Sequence, residues 1–372
     1  MRFVILADPL DNQKAGIHHY TRNLVMQINK LDQDGEYVLI RRKRDKLFDP
    51  GRQVIIKNFR FPGYAALRMF FIIPWKIRQL KADAVIEPAH FGPFNLPRKI
   101  KRVTVIHDLT PILFPIYHRF HSQLLQRIFL RSILRRASLV IANSENTRKD
   151  IVRHYSGTNA KTISIYLGRD EGISPAVGGN ESTEDAGKAI HKAKYFLYLG
   201  TIEPRKNLNC LLEAYALYKK HDHADHSLII AGNKGWKSSS FFAKLQAHPN
   251  RRDIELLGYV DRDKLGELYQ HATSFIFPSY YEGFGLPVVE AMSCGTPCLL
   301  SNSSSLPEVG GDAALYFDPQ KPEELAALML KITEDMDLHE TLSKRAMLQA
   351  GKFSWEGYAI KFDATLRKIC SA

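Results

Sequence analysis

Cysteine is scarce in this sequence. Its 372 residues hold four, Cys210, Cys294, Cys298 and Cys370, with no metal-ligand spacing among them. That excludes a disulfide-stapled fold and a cysteine-built zinc site, and reduced core thiols are expected. Long apolar runs are missing too. The most tempting, Met69 to Trp75, is far shorter than the ~20 residues that span a bilayer, and Arg68 and Lys76 flank it. Met1 to Ala7 leads directly into a strand-like pattern with no signal-peptide core, so a cytoplasmic protein, or one lying on a membrane face, is expected. There is no internal repeat and no long low-complexity tract. Acidic residues are outnumbered, 39 against 52 Lys and Arg, for a formal charge of +13. The excess favours an anionic partner and does not choose among nucleic acid, membrane surface and phosphorylated substrate.

What is present is ample apolar material. With 45% hydrophobic residues, a chain of this length can bury two ordinary cores and is long for one. Strand-like runs recur at Arg2–Asp8, Tyr37–Arg41, Val54–Asn58, Ala84–Glu87, Arg102–His107, Leu139–Asn143 and Thr162–Leu167, with helical patterns between most of them. Such alternation predicts a mostly parallel, doubly wound α/β sheet. The pattern breaks from Arg169 to Lys192 into a tract rich in Gly, Ser and acidic residues, then resumes at Tyr195–Leu199. We therefore expect a Rossmann-like domain over residues 1–170, a linker over 171–193, a second Rossmann-like domain over 194–354 and a helical segment over 355–372. Ligands of such sheets bind beyond the carboxyl ends of strands, which makes the residues there the candidates.

One such end organises the rest. Pro278 to Pro297, PSYYEGFGLPVVEAMSCGTP, lies between the strand-like runs Ser274–Phe277 and Cys298–Leu300. Gly283 and Gly285, on either side of Phe284, permit unusual dihedrals and close approach, and Pro287 suits the first turn of a helix starting near Leu286. The free amides of that turn and the helix dipole make an anion site. Glu282 and Glu290 bracket it, so a ligand with hydroxyls on both sides of a phosphate fits better than a bare anion. A sugar nucleotide has that anatomy. The stretch closely resembles the signature of retaining glycosyltransferases of the GT-B type, the group 1 or family 4 set, with Glu282 and Glu290 at the two positions of its E-x7-E pattern.

The resemblance implies two Rossmann-like domains facing across a cleft, with segment 355–372 crossing back to complete the first. It also gives roles to other strand ends. Gly16 matches the helix-proximal glycine of the family's first loop, where it can approach a phosphate. His18 and His19 depart from the residues usual there and are secondary candidates. His107-Asp108 resembles the family's His-Asp pair, whose histidine borders the donor sugar and is linked to catalysis. A neutral imidazole can hydrogen-bond a hydroxyl, and Asp108 could fix its tautomer. Ser144 and Thr147 fall on an S-x-x-T pattern near the cleft, and Ser144 is also a natural N-cap. In the second domain GTIEPRKNL, Gly200–Leu208, resembles the family's E-x-R-K-N segment, whose arginine and lysine contact the diphosphate. Here these are Arg205, a bidentate fork, and Lys206, a mobile point charge. Gly232 in AGNKGW ends a strand beside the nucleotide, and Gly258, Tyr259 and Val260 end another that presents backbone groups to the base.

The expected chemistry is sugar transfer. Asp261-Arg262-Asp263 has the spacing of a metal-binding aspartate pair but sits at a helix cap, so neither metal nor bound cofactor is expected. Arg205, Lys206 and the amides near Gly285 and Leu286 would take the charge that builds on the nucleoside diphosphate. Resemblance implies retention of anomeric configuration, with Glu282 on sugar hydroxyls and Glu290 on the ribose. GTIEPRKNL together with AGNKGW looks most like bacterial mannosyltransferases of surface-polysaccharide assembly. That implies GDP-mannose as donor co-substrate and a glycan acceptor on a lipid carrier; UDP-linked glucose, N-acetylglucosamine or galactose is the alternative donor. The reading of another class, a basic nucleic-acid-binding protein, needs clustered charge with aromatic platforms or a recognition fold. The informative residues gather at strand ends instead, so no nucleic-acid partner is expected. Finally, His118 to Arg136 carries apolar residues at helical spacing, with Arg127, Arg131, Arg135 and Arg136. It reads first as a domain helix with solvated arginines. With the Arg41–Lys46 cluster and the Tyr64–Trp75 segment it is also a candidate contact with anionic membrane.

Overall fold

The computed structural model describes all residues except 12–15, 33, 45, 47, 60, 90–91, 94, 118–119, 174–193, 222–224 and 372, and the side chains of residues 120–127. The chain forms two compact units, one made of Met1–Gly168 with Ser354–Ala372, the other of Arg169–Phe353.

The first unit is built on seven parallel strands: β1 (Phe3–Leu6), β2 (Tyr37–Arg41), β3 (Gln53–Ile55), β4 (Ala84–Glu87), β5 (Lys101–Ile106), β6 (Leu139–Ala142) and β7 (Thr162–Ser164). Their order is β3-β2-β1-β4-β5-β6-β7, so the winding reverses between β1 and β4. β1, β2, β4 and β6 are buried at every position, which is why they read as unbroken apolar runs rather than alternating ones. Helix Trp355–Ser371 belongs to this unit. Tyr358 packs edge-on against Tyr20 of helix Gly16–Leu31, their hydroxyls hydrogen-bonded, and the Tyr37 hydroxyl donates to Asp363 over 2.6 Å. Helix Phe120–Arg136 packs Leu130 and Leu134 in one cluster with Ile106 and Val140 of β5 and β6, buries Ile133 as well, and leaves Arg131, Arg135 and Arg136 exposed. His118 and the side chain of Arg127 lie outside the described residues.

The second unit carries β8 (Tyr195–Leu199), β9 (Ser227–Ala231), β10 (Ile254–Gly258), β11 (Ser274–Phe277), β12 (Cys298–Ser301) and β13 (Ala314–Phe317). The order is β10-β9-β8-β11-β12-β13, again all parallel, with its reversal between β8 and β11. The loops leaving β8 and β11 therefore start side by side, at the point where an open parallel sheet forms its ligand crevice. Close backbone packing shapes that edge. Gly232, after β9, has φ +134°, its amide donates to the Gly258 carbonyl, and a Cβ there would meet the Gly200 carbonyl oxygen at 2.1 Å. Of the expected linker, Ile173 is hydrogen-bonded through its amide to Asp170, while residues 174–193 lie outside the described residues. Cys210, Cys294 and Cys298 are buried free thiols, each pushed up in pKa by that burial. Among the described residues no helix is long and apolar enough to cross a membrane.

Candidate active site

After β8 the chain makes a single 3-10 turn, Pro204–Lys206, and then places Asn207 in the left-handed region at φ +55°. Asparagine tolerates that conformation, and its side-chain amide donates to the carbonyls of Pro278 (3.1 Å) and Pro319 (2.7 Å). Helix Leu208–Tyr218 follows. The Tyr280 amide in turn donates to the Arg205 carbonyl. Two loops distant in sequence are thereby stitched together, and their side chains meet.

The meeting point is Glu282. Its carboxylate is 2.9 Å from the Arg205 guanidinium and 2.7 Å from Lys206 Nζ. Arg205 also pairs with Glu203 at 2.7 Å and donates to the Tyr281 carbonyl, while Lys206 Nζ stands 4.8 Å from the centre of the Phe277 ring. Burial by itself would push the Glu282 carboxyl up, but the two cations more than offset it and hold it at about 2. Lys206 moves down, because burial, helped by Arg205, outweighs its one close anion. Burial also raises the Glu203 carboxyl. The asymmetry lies in the neighbours: Glu282 faces two cations, whereas at Lys206 burial and Arg205 work against Glu282 and the weaker pull of Glu203. The structure thus brings three predicted residues into one buried ion cluster, in which Glu282 occupies the groups expected to hold phosphate.

Two serines that follow β12 fix the loop carrying Glu282. The Glu282 amide donates to Ser304 Oγ (2.8 Å), and Ser305 Oγ donates to the carbonyls of Glu282 and Phe284. The hydroxyl run Ser303–Ser305 after β12 was the available signal. Gly285 has φ +108° and opens helix Leu286–Ser293, with Pro287 in its first turn. Gly283, expected to share that freedom, takes no left-handed φ, since the reversal is completed one residue before the helix. Glu290, half-buried on that helix, accepts from the Tyr269 hydroxyl at 3.1 Å, and burial raises its carboxyl. Gly258 has φ +67°, and Tyr259 beyond it is exposed, with Val260 half-buried. Asp261 does stand at the start of helix Arg262–Gln270, and Arg262 is ion-paired with Asp170.

In the first unit, Gly16 is the first residue of its helix, with open space where a Cβ would go. His18 lies against the Pro9 carbonyl and His19 against Asn23. Ser144 caps helix Glu145–His154 through the Thr147 amide and donates to the Thr147 hydroxyl, so this pair does local structural work. His107, just past β5, is gripped on both sides. One ring nitrogen, Nε2, donates to the Pro88 carbonyl over 2.7 Å, and Nδ1 accepts from the Asn143 amide over 2.7 Å, with the Tyr20 ring edge-on at 4.9 Å. Burial lowers its pKa, so the imidazole is neutral with its proton on Nε2.

Asp108 does not set that tautomer. Its carboxylate accepts from the amide (2.9 Å) and hydroxyl (2.6 Å) of Thr110, turning the chain into helix Thr110–Leu113. A carboxylate followed two residues later by Thr finds its donors locally, and Asn143 at the end of β6 takes the role instead. Asn143 was missed because nothing in one sequence pairs it with His107. Asn143→Leu should leave Nδ1 without a donor, lower stability by ~1–3 kcal/mol and mix the imidazole tautomers. Imidazole nitrogen NMR checks this, and an unchanged single tautomer in the variant would rule the role out.

A cavity of about 300 Å³ opens at the carboxyl ends of β1, β2 and β4. Leu6, Ile17, Ile40, Met69 and Ile73 supply apolar wall, and Asp8, His18 and Arg42 supply polar wall. Asp8 is held by the buried Arg68.

Two parallel-sheet Rossmann-like units, with cations and carboxylates at the strand ends of the second, define a GT-B glycosyltransferase. Residues 15–172 match the Glycosyltransferase Family 4 model and residues 180–349 the model for glycosyl transferases group 1. O-antigen chain mannosyltransferase B of Escherichia coli is 34% identical over 289 residues, 76% of this chain and 73% of that protein. Serotype-specific mannosyltransferase WbdA, also of Escherichia coli, is 29% identical over 277 residues, and the match spans 70% of this chain but 32% of WbdA. Sucrose-phosphate synthase from Thermosynechococcus elongatus has the same fold, with TM-score 0.76 at 19% identity over 100% of this chain and 99% of that one. Anabaena HepE, solved in complex with UDP and glucose, gives TM-score 0.74 at 19% identity over 99% of each chain. The chain belongs to the group 1, family 4 glycosyltransferases, enzymes that draw on nucleotide-sugar donors.

Proposed function

We propose that this enzyme is a retaining, metal-independent mannosyltransferase. In this reading it moves mannose from GDP-mannose to a lipid-linked glycan during bacterial surface-polysaccharide assembly, at the cytoplasmic face of the membrane. The observation that carries it is the cluster of Arg205, Lys206 and Glu282, and the mannosyltransferase relatives at 34% and 29% identity support the choice of sugar.

Transfer breaks the bond between the anomeric carbon and a diphosphate oxygen and forms one from that carbon to an acceptor hydroxyl oxygen, whose proton passes to the departing diphosphate. Negative charge grows on the departing diphosphate. Arg205 and Lys206 are already fixed beside an anion, so an incoming diphosphate exchanges with Glu282 rather than entering a bare cationic pocket. Their orientation is set before the reaction, which is what makes such charges effective. Glu282, released from its two cations, then has oxygens to accept hydrogen bonds from donor-sugar hydroxyls, while Glu290 accepts from the ribose. The amides at Leu286 face the phosphates at the helix start, and Gly258, Tyr259 and Val260 offer backbone groups to the base. Gly232 permits the close strand-end packing beside them. His107 borders the sugar as a neutral imidazole; with both ring nitrogens engaged, a hydroxyl must displace Asn143 or Pro88 to bond it.

A thermal-shift and calorimetric screen tests the donor. At about 100 Kd a ligand adds ~2.7 kcal/mol of stability, so GDP and GDP-mannose should raise the melting temperature and UDP should not. Stabilisation by UDP alone would transfer the reading to a UDP-linked glucose, N-acetylglucosamine or galactose. Transfer assayed in EDTA should keep most of its rate; complete loss restored by magnesium or manganese would remove metal independence.

A further inference from the structure

Exposed apolar side chains concentrate in one short segment of the first unit. Helix Tyr64–Leu67 runs through a π-helical turn, Arg68–Ile72, into helix Ile73–Gln79. Its inner face is firmly seated: Ile73 and Ile77 pack with Val4, Ile40 and Val85, and buried Arg68 holds Asp8 and the Ile56 carbonyl. Its outer face carries Leu67, Phe71 and Trp75, spaced four apart, which are 43%, 65% and 56% exposed. Phe59 and Phe61 on the preceding loop, 57% and 53% exposed, stand about the Tyr64 ring at 5.1 and 5.0 Å. Five large apolar side chains are thus held out in solvent by a rigid base.

Charge says what covers them. From Gly51 to Ala82 the sequence has no Asp or Glu, while Arg and Lys recur through it. Lys57 is exposed, and Lys76 Nζ lies 5.9 Å from the centre of the Trp75 ring. A second copy of this chain fits poorly, because a two-fold contact sets like charges against like. Anionic headgroups fit well: each basic residue near such a surface contributes ~1 kcal/mol, and aromatic side chains favour the boundary between headgroups and acyl chains. The basic surface expected elsewhere is weaker. Arg41 is buried and paired with Asp11 at 2.9 Å, and among the described side chains of helix Phe120–Arg136, Leu130, Ile133 and Leu134 are buried.

We propose that Phe59, Phe61 and residues 64–75 form a ridge that seats the first unit on an anionic bilayer. Phe59, Phe61, Leu67, Phe71 and Trp75 enter the headgroup boundary, and Lys57 and Lys76 meet lipid phosphates. Met69 and Ile73 of the same segment also line the cavity at the carboxyl ends of β1, β2 and β4. Seating the ridge brings that cavity to the membrane surface, within reach of an acceptor carried on lipid. This last step rests on the proposed acceptor; the lipid contact does not.

The test is co-sedimentation of the full chain with vesicles, without any sugar donor. Phosphatidylglycerol-rich vesicles should pellet the protein at low salt, phosphatidylcholine vesicles much less, and brominated lipid should quench Trp75. The variant Leu67→Ser with Phe71→Ser should keep its melting temperature, since both side chains are exposed, yet bind roughly tenfold more weakly. Arg131→Ser with Arg135→Ser should bind as wild type. The ridge is overturned by equal binding of wild type and Leu67/Phe71 variant, by loss confined to the arginine variant, or by a solution dimer that the ridge variant abolishes. Failure of GDP-mannose as donor would leave the vesicle result untouched.

Discussion

Arg205→Ala should cut turnover on the nucleotide sugar by roughly 10²–10³-fold and leave the protein folded. The rate effect is the size seen when one preoriented charge donor is removed from a developing anion. Folding survives because the remaining charges can adjust. Lys206 still neutralises Glu282 at 2.7 Å, and Glu203, whose carboxyl burial already raises, can take up a proton once its partner is gone. Single-turnover kinetics with a melting curve on the same sample read both outcomes. A drop below tenfold would mean that Arg205 serves the fold and not the diphosphate.

Glu282→Gln should be the most destabilising change in the cluster. It leaves two buried cations without their shared anion, which costs about 3–5 kcal/mol in comparable buried pairs. Its pH dependence is distinctive. The folded carboxyl sits at about 2 against an ordinary 4.5, so Glu282 stabilises the fold in full above the ordinary value. That contribution, on the order of 3 kcal/mol, is lost as pH falls from about 4.5 towards 2. The gap between wild type and variant in urea unfolding should therefore be widest at neutral pH and narrow through that acid window. A gap that is constant with pH, or absent at pH 7, would show that the ion cluster does not hold Glu282 in solution.

Much of the fold was legible because of how parallel sheets bury their strands. β2, β4, β8 and β11 fall where their apolar runs predict them, since covered faces leave no polar alternation to blur the ends. The start of helix Leu286–Ser293 was readable from Gly285 and Pro287. β13, Ala314–Phe317, was not, because its two central residues are only half-buried and four residues carry little pattern. The motifs that carry the candidate residues were legible, and the partnerships between those residues were not. Glu282 and Lys206 are 76 positions apart, and only the β8/β11 adjacency joins them. Asn207, Ser304, Ser305 and Asn143 act through one or two hydrogen bonds each to remote loops, which leave no local spacing to find. Asp108 differs from its expected place on the neighbouring imidazole because Thr110, two residues further on, offers both an amide and a hydroxyl to its carboxylate.

The placement of helix Trp355–Ser371 has a consequence for how the protein is made. Residues 169–353 are contiguous, so the second unit has all of its strands once they leave the ribosome. The first unit does not. Tyr20 waits for a hydroxyl partner 338 residues downstream, and Tyr37 for Asp363. At ~5–20 residues per second that is roughly 17–70 s, during which the aromatic face of helix Gly16–Leu31 lacks its cover. The half of the enzyme synthesised first is the half completed last, and a stretch of nascent chain exposing Tyr20 is where a chaperone would have its longest opportunity to bind.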